Sequence, residues 1–331
     1  MAQRSVNETM YVATDHGLAV WRREPHGQTA CTYTLVGRRL TSIMARGGVI
    51  LAGTTEGVFR SDDGGTNWSE ASRNLAIRHV RWMAFHPAIS DREFAGTEPA
   101  GIFRSHDGAA SWRECSEVAQ LRDKHRWFLP YSPEAGCVRG FAFEGDRAYA
   151  AVEVGGVLRS DDGGASWRLA GGSTGRPVFE IPPKPLVHAD VHSVVSHPSS
   201  PDLIFAVTAE GLYRSADGGD TWTVSHAGSY CRAAWVDPAD PRHIILSPAE
   251  SVARKNGRIE ETWDGGANWS PVSNGLELPW PDTMIERFIQ VGGELFAITN
   301  HGQAYVSSPG KLHWQRVLPE VEGIRALTAM A

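Results

Sequence analysis

The chain has 331 residues, a formal net charge of −6 at pH 7, 41% hydrophobic and 21% charged residues. That is the make-up of an ordinary globular protein, and the acidic balance argues against a nucleic-acid surface. No apolar run approaches the roughly 20 residues of a membrane span, so neither nucleic acid nor membrane is an expected partner.

The first residues, Met1-Ala-Gln-Arg-Ser-Val-Asn-Glu8, have no apolar core, so no secretory leader is expected. Cys31, Cys115, Cys137 and Cys231 are scattered without CxxC spacing. They are expected as reduced thiols, and the expected compartment is the cytoplasm. The first strand signal, Tyr11-Val-Ala-Thr14, is followed by a turn over 22–28 that lacks the phrase described next.

From Ser61 onward the chain repeats itself. Ser61-Asp-Asp63-Gly-Gly65-Thr-Asn-Trp68 recurs at Ser105 to Trp112, Ser160 to Trp167, Ser215 to Trp222 and Thr262 to Trp269. A degenerate copy, Ser307 to Trp314, has Pro309 in the Asp slot. Ser-x-Asp-x-Gly-x-x-Trp is the spacing of a hairpin turn, with the carboxylate accepting backbone N–H groups and Gly supplying positive φ. The Trp then buries its ring against the neighbouring sheet. Self-similarity at roughly 45–55 residues predicts stacked four-stranded units.

Seven inner strands can be aligned on these phrases. They begin Leu40-Thr-Ser-Ile, Val80-Arg-Trp-Met, Val138-Arg-Gly-Phe, Val191-His-Ser-Val, Cys231-Arg-Ala-Ala, Glu286-Arg-Phe-Ile and Ile324-Arg-Ala-Leu. The last lies at the C-terminus while the chain opens on a second strand, so residues 324–330 are expected to pair with 10–14. The prediction is an all-β chain: one domain over 1–331, a seven-bladed ring closed by its C-terminal strand, with no sheet edge left open. The alternative is a six-bladed ring with an N-terminal appendage, because the first turn lacks the phrase.

The phrase resembles the Asp-box (BNR) repeat of β-propellers, and the resemblance covers essentially the whole chain. Families with this repeat include sialidases, xyloglucan-cleaving glycosidases, sortilin-type receptors and a photosystem II assembly factor. The resemblance implies that the box lies opposite the usual ligand face, so Asp63, Asp107, Asp162, Asp217 and Asp264 are structural. The sialidase pattern needs an early Arg-Ile-Pro phrase; here Phe179-Glu180-Ile181-Pro182 has Glu in its place and lies mid-chain. That argues against a sialidase. The paired catalytic acids of the xyloglucan-cleaving enzymes have no residue-by-residue counterpart. The assembly factor, a single seven-bladed ring with a basic patch, supplies the binding-protein alternative.

Two rings of candidate site residues emerge from equivalent positions. The first opens each inner strand: Arg81, Arg139, His192, Arg232, Arg287 and Arg325, with Thr41 in the seventh place. Guanidinium forks match carboxylate, phosphate and sulfate, so a small anionic molecule is the expected ligand. Arg139 and Arg232 are expected to clamp it. The second ring follows the second strands: Asp15-His16, Glu56, Glu98, Glu153, Glu210, Glu250 and Asn300-His301. These acids either neutralise the arginines or supply a general acid or base.

Two excursions, 116–136 and 171–190, are long for a repeat scaffold and bring His125, Trp127 and Tyr131, then His188, to the top of the fourth blade. Trp127 and Trp280 either wall the ligand or pin their loops. Catalytic candidates are Glu153, His192, His188, Glu98 and Tyr230. No cofactor is certain, but His188, His192 and Glu153 have the donor types of a divalent metal site. The expected function is a hydrolase or lyase acting on an anionic small molecule; the alternative is a non-catalytic scaffold using the same basic face on a protein partner.

Overall fold

The computed structural model describes residues 9–23, 29–129, 131 and 136–330. Among them, 28 strands form seven four-stranded antiparallel sheets. Each sheet runs outward from an inner strand, and the seven inner strands surround one axis. The chain is a seven-bladed β-propeller.

Closure follows the expected route. Ile324–Ala329 pairs antiparallel with Thr9–Thr14, Met10 opposite Ala329, in a sheet completed by Gly17–Arg23 and Thr29–Thr34. The first blade is therefore complete, and the six-bladed alternative is corrected. Part of the turn that raised doubt, 24–28, lies outside the described residues.

The repeated phrase works as a turn and as a latch. In the fourth blade Asp162 Oδ1 accepts the Ser160 hydroxyl at 2.7 Å and the Ser166 N–H at 2.8 Å, while Gly164 N–H donates to Ser160 Oγ at 2.8 Å. Gly164 sits at φ 80°, and a Cβ there would collide with the Phe94 ring of the preceding blade. The Trp then reaches back one blade: Trp112 Nε1 donates to Ala71 O at 2.8 Å, and Trp314 Nε1 to Val272 O at 3.0 Å. Trp112, Trp167, Trp222 and Trp314 are buried between blades among Val, Ile, Leu and Phe side chains. Each such ring contributes apolar burial, and the indole N–H of Trp112, Trp222 and Trp314 is also satisfied by a carbonyl.

One local expectation changes. The excursion over 116–136 begins as a helix, Ser116–His125, rather than as loop. Glu117 in its first turn and Arg122, Lys124 and His125 in its last complement the helix dipole. Glu117 also accepts the Trp167 N–H at 2.9 Å, which seats the helix on the fourth blade.

Candidate functional site

Every inner strand carries a register shift near its start. In the fourth blade the pairing jumps from Val138–Val152 to Gly140–Ala151, leaving Arg139 out of the ladder. The same skip falls at Thr41, Arg81, His192, Arg232 with Ala233, and Arg325. A bulge leaves its residue unpaired and re-aims its side chain, so one side chain per blade turns toward the channel mouth. In the seventh blade the skipped residue is Glu286, because pairing passes from Ile285–Thr299 to Arg287–Ile298. The basic ring therefore carries one acid, and Arg287 stands one position beyond its expected place.

Over this mouth lies a cavity of about 1230 Å³. Its wall includes Arg81, Arg139, Arg232, Arg287 and Arg325 from the expected basic ring, with Glu153, Asp190 and Glu286 among them. In three blades the second-strand acid pairs with the bulge residue of its own blade: Asp15 with Arg325, Glu98 with Arg81 and Glu153 with Arg139. Arg325 grips Asp15, its Nε at 3.0 Å from Oδ1, and Arg81 Nη1 stands 3.4 Å from Glu98 Oε2. Glu98 itself is not on the cavity wall and only backs Arg81 and His79.

Glu153 is the centre of the network and is 3% exposed. Its Oε2 accepts from Arg139 Nη1 at 2.8 Å, Tyr131 OH at 2.9 Å and the Cys137 thiol at 3.1 Å. Its Oε1 faces Arg232 Nη1 at 3.7 Å and His192 Nε2 at 4.0 Å. Burial alone would raise this carboxyl, but Arg139, Arg232 and His192 outweigh it and hold it well below the usual range. Glu286 behaves alike: burial opposes ionisation, yet Arg232, Arg139 and Arg254 bring it down to about 2. Two carboxylates thus occupy the two arginines expected to clamp a ligand. Arg139 and Arg232 are paired, not free.

Arg287 is different. Among the described residues it has no carboxylate within ion-pair reach; it donates to Thr41 O at 3.0 Å and lies 4.1 Å over the Trp82 ring. Burial, then Arg139 and Arg81, push it down to about 9, which leaves it cationic at neutral pH.

His192 is 3% exposed and on the fifth blade's bulge. Its Nδ1 lies 2.6 Å from Cys231 O, and a carbonyl can only accept, so Nδ1 carries the proton. Nε2 then points at Asp190 Oδ1, 3.3 Å away. Sequence reasoning missed Asp190, although it sits midway between the two expected metal ligands His188 and His192. His188 lines the cavity, but its ring is committed: Nδ1 accepts the Asp190 N–H at 3.1 Å and Nε2 reaches Phe179 O at 3.3 Å.

Tyr230 also lines the cavity, its ring 5.0 Å from that of His192 and 5.2 Å from the Arg232 guanidinium carbon. Burial raises its phenol to about 12, so at neutral pH it is protonated. Three expected ligand contacts lie elsewhere. Trp127 is buried beneath the wall with Nε1 donating to Gly175 O at 2.6 Å, which pins the second excursion. Trp280 is buried in the seventh-blade core beside Tyr305. His125 sits at the helix end near Gly175 and Arg176, off the cavity wall.

No helix among the described residues is long and apolar enough to cross a membrane. No family model matches the sequence, and no curated protein matches it. Solved structures do match in shape. The GH74 xyloglucanase from Xanthomonas campestris superposes with a TM-score of 0.62 at 17% identity, over 85% of this chain and 45% of that one. An ancestral GH74 enzyme gives 0.60 at 18%, over 88% and 38%. YCF48 bound to D1 peptide gives 0.59 at 13%, over 89% and 86%. This chain thus spans less than half of the GH74 chains, and at these identities the likeness is one of fold.

Proposed function

We propose that this protein binds a small anionic molecule in the cavity over the channel mouth and acts on it as a hydrolase or lyase. The observation that carries the reading is the unpaired guanidinium of Arg287, packed among Arg81, Arg139 and Arg325. Its neighbours have carboxylates of their own, so Arg287 is the charge left for a carboxylate, phosphate or sulfate. Ligand pockets commonly run about 300–1,000 Å³, and this one is large enough for more than an inorganic ion. Proton transfer falls to His192, because Glu153 is held ionised and bonded on one oxygen by three donors. Tyr230, protonated beside both His192 and Arg232, is placed to donate a hydrogen bond to the ligand. Four free cysteines suit a cytoplasmic setting.

The test is thermal unfolding with phosphate, sulfate and small carboxylates at constant ionic strength. A ligand that binds only the folded chain raises the midpoint by mass action. A rise with one anion that chloride does not produce supports the reading; a flat response across the panel overturns it. A second reading, a scaffold for a protein partner, is favoured by the apolar rim of the same cavity. Tyr131, Phe179 and Val252 stand there 60%, 44% and 68% exposed, and the YCF48 neighbour was solved with a peptide.

A further inference from the structure

We infer that Glu153, Asp190 and His192 hold one divalent transition-metal ion of the zinc or cobalt type on the cavity wall. The inference deepens the proposed function and rests on the cavity being its working site. With the ion bound His192 is a ligand, and the proton-transfer role proposed for it passes to a water on the metal.

The donors are arranged for a cation. One ligand atom from each of the three residues lies within 4.8 Å of the others, and all three are buried. With Nδ1 donating to Cys231 O, Nε2 faces two carboxylates, an arrangement that calls for a positive charge there, either a proton on Nε2 or a metal ion. His192 Nε2 and Asp190 Oδ1, on residues 3% and 8% exposed, have no hydrogen-bond partner among the described residues. Bonds of about 2.0–2.2 Å to a tetrahedral zinc put neighbouring donors roughly 3.3 Å apart. The pair at 3.3 Å meets that already, and Glu153 Oε1 at 4.0 Å has to close by roughly 0.7 Å.

The surroundings are those of a supported ligand set. A metal-bound imidazole gives its other N–H to a carbonyl or carboxylate, which fixes tautomer and ring orientation. Here Cys231 O takes that proton, while Tyr131, Cys137 and Arg139 fix Glu153 through Oε2 and leave Oε1 free. Arg232 Nη1 stands 3.7 Å from Glu153 Oε1 and 3.9 Å from Glu286 Oε2, beyond hydrogen-bond distance of both. It can move fully to Glu286 as a cation takes Oε1. One nitrogen and two carboxylates suit zinc, cobalt or manganese better than magnesium or calcium, which favour all-oxygen sets. Three protein ligands leave a position open, and Glu153 and Asp190 both border the cavity, so that position is available to water or to the anion. His188 is outside the set because both its nitrogens are engaged.

The metal-stripped full-length chain should take up one equivalent of Zn²⁺ by calorimetry and one of Co²⁺ by visible absorption. H192Q and D190N, each checked for a native melt, should lose about 100-fold or more in affinity, since even supporting residues are worth 10–100-fold. H188Q should bind as tightly as the wild type. Should the variants fail to fold, electron paramagnetic resonance of the Cu²⁺-loaded wild type still decides: coupling to one imidazole nitrogen is expected, and to none or several overturns the set. No Zn²⁺ uptake, as a proton on Nε2 would produce, overturns the inference, as does equal affinity in H192Q and D190N. Phosphate-induced midpoint shifts on the same stripped chain separate the two ideas. If they persist while Zn²⁺ does not bind, the cation site falls and the anion site stands; the converse outcome removes only the anion site.

Discussion

Arg139 and Glu286, 147 residues apart in sequence, meet across the channel mouth with Nη2 3.5 Å from Oε2. The pair ties the fourth blade to the seventh, and through Arg139 Nη1 it reaches Glu153 at 2.8 Å. A bulge puts each partner there. The contact exists because the seventh blade carries an acid where most others carry a base, and Glu286, taken up by Arg139, Arg232 and Arg254, leaves Arg287 without an acid in reach among the described residues.

Arg287→Gln is therefore expected to weaken anion binding by about 10–100-fold, the equivalent of one charged hydrogen bond of about 1.5–3 kcal/mol. The melting temperature should hold or rise, because the substitution removes a cation crowded by cations. Calorimetric titration and thermal unfolding of the same sample check both halves. Unchanged affinity would move the anion away from Arg287.

Glu153→Gln should behave in the opposite way. It leaves Arg139 and Arg232 buried with only Glu286 to share, and breaking such a network costs about 3–5 kcal/mol. Urea unfolding measures it. Removing Arg139 as well, as E153Q with R139M, should recover part of the loss, since an apolar replacement needs no counter-charge. A fully stable E153Q chain would show that the carboxylate is not what balances the arginines.

Asp162→Ala tests the other face of the ring. Its carboxylate accepts from Ser160 and Ser166 in the turn, and losing those bonds should cost about 1–3 kcal/mol in urea unfolding. Anion affinity should not change, because the turn joins third and fourth strands while the cavity is built from the opposite ends.

These contrasts also show what was legible beforehand. Seven blades and the strand that closes them could be read because turn chemistry and strand alternation are local, and each repeat prints them again. The basic ring was legible as a type but misread at one blade. An apolar residue precedes Arg81, Arg139, His192 and Arg325, and in the seventh blade Ile285 precedes Glu286; starting that strand at Glu286 moved the register by one residue. Pairing across the ring was not legible at all. Which arginine keeps a free charge depends on contacts such as Arg139 with Glu286, set by closure of the ring rather than by neighbours in sequence. Asp190 was missed for a related reason: it comes from a strand approach, outside both repeating rings.

The acid limb of stability carries the last prediction. Glu286 titrates near 2 in the folded chain, and Glu153 and Asp190 are also depressed, against about 4 for unfolded carboxyls. With folded pKa values lowered, the unfolded chain takes up protons first as pH falls. The stabilisation is therefore complete above roughly pH 5 and drains away between there and about pH 2. For Glu286 alone the shift corresponds to the order of 3 kcal/mol, its side chain being only 18% exposed. The turn carboxylates Asp162 and Asp217, also near 2, drain over the same window, so the wild-type curve by itself does not isolate the cavity. Comparison does. E286Q should be less stable than the wild type at pH 7 and should converge on it as pH falls toward 3, measured by urea unfolding at each pH. D162N should converge likewise, but only E286Q should alter anion affinity at pH 7, and parallel curves for E286Q would place the Glu286 charge outside the network.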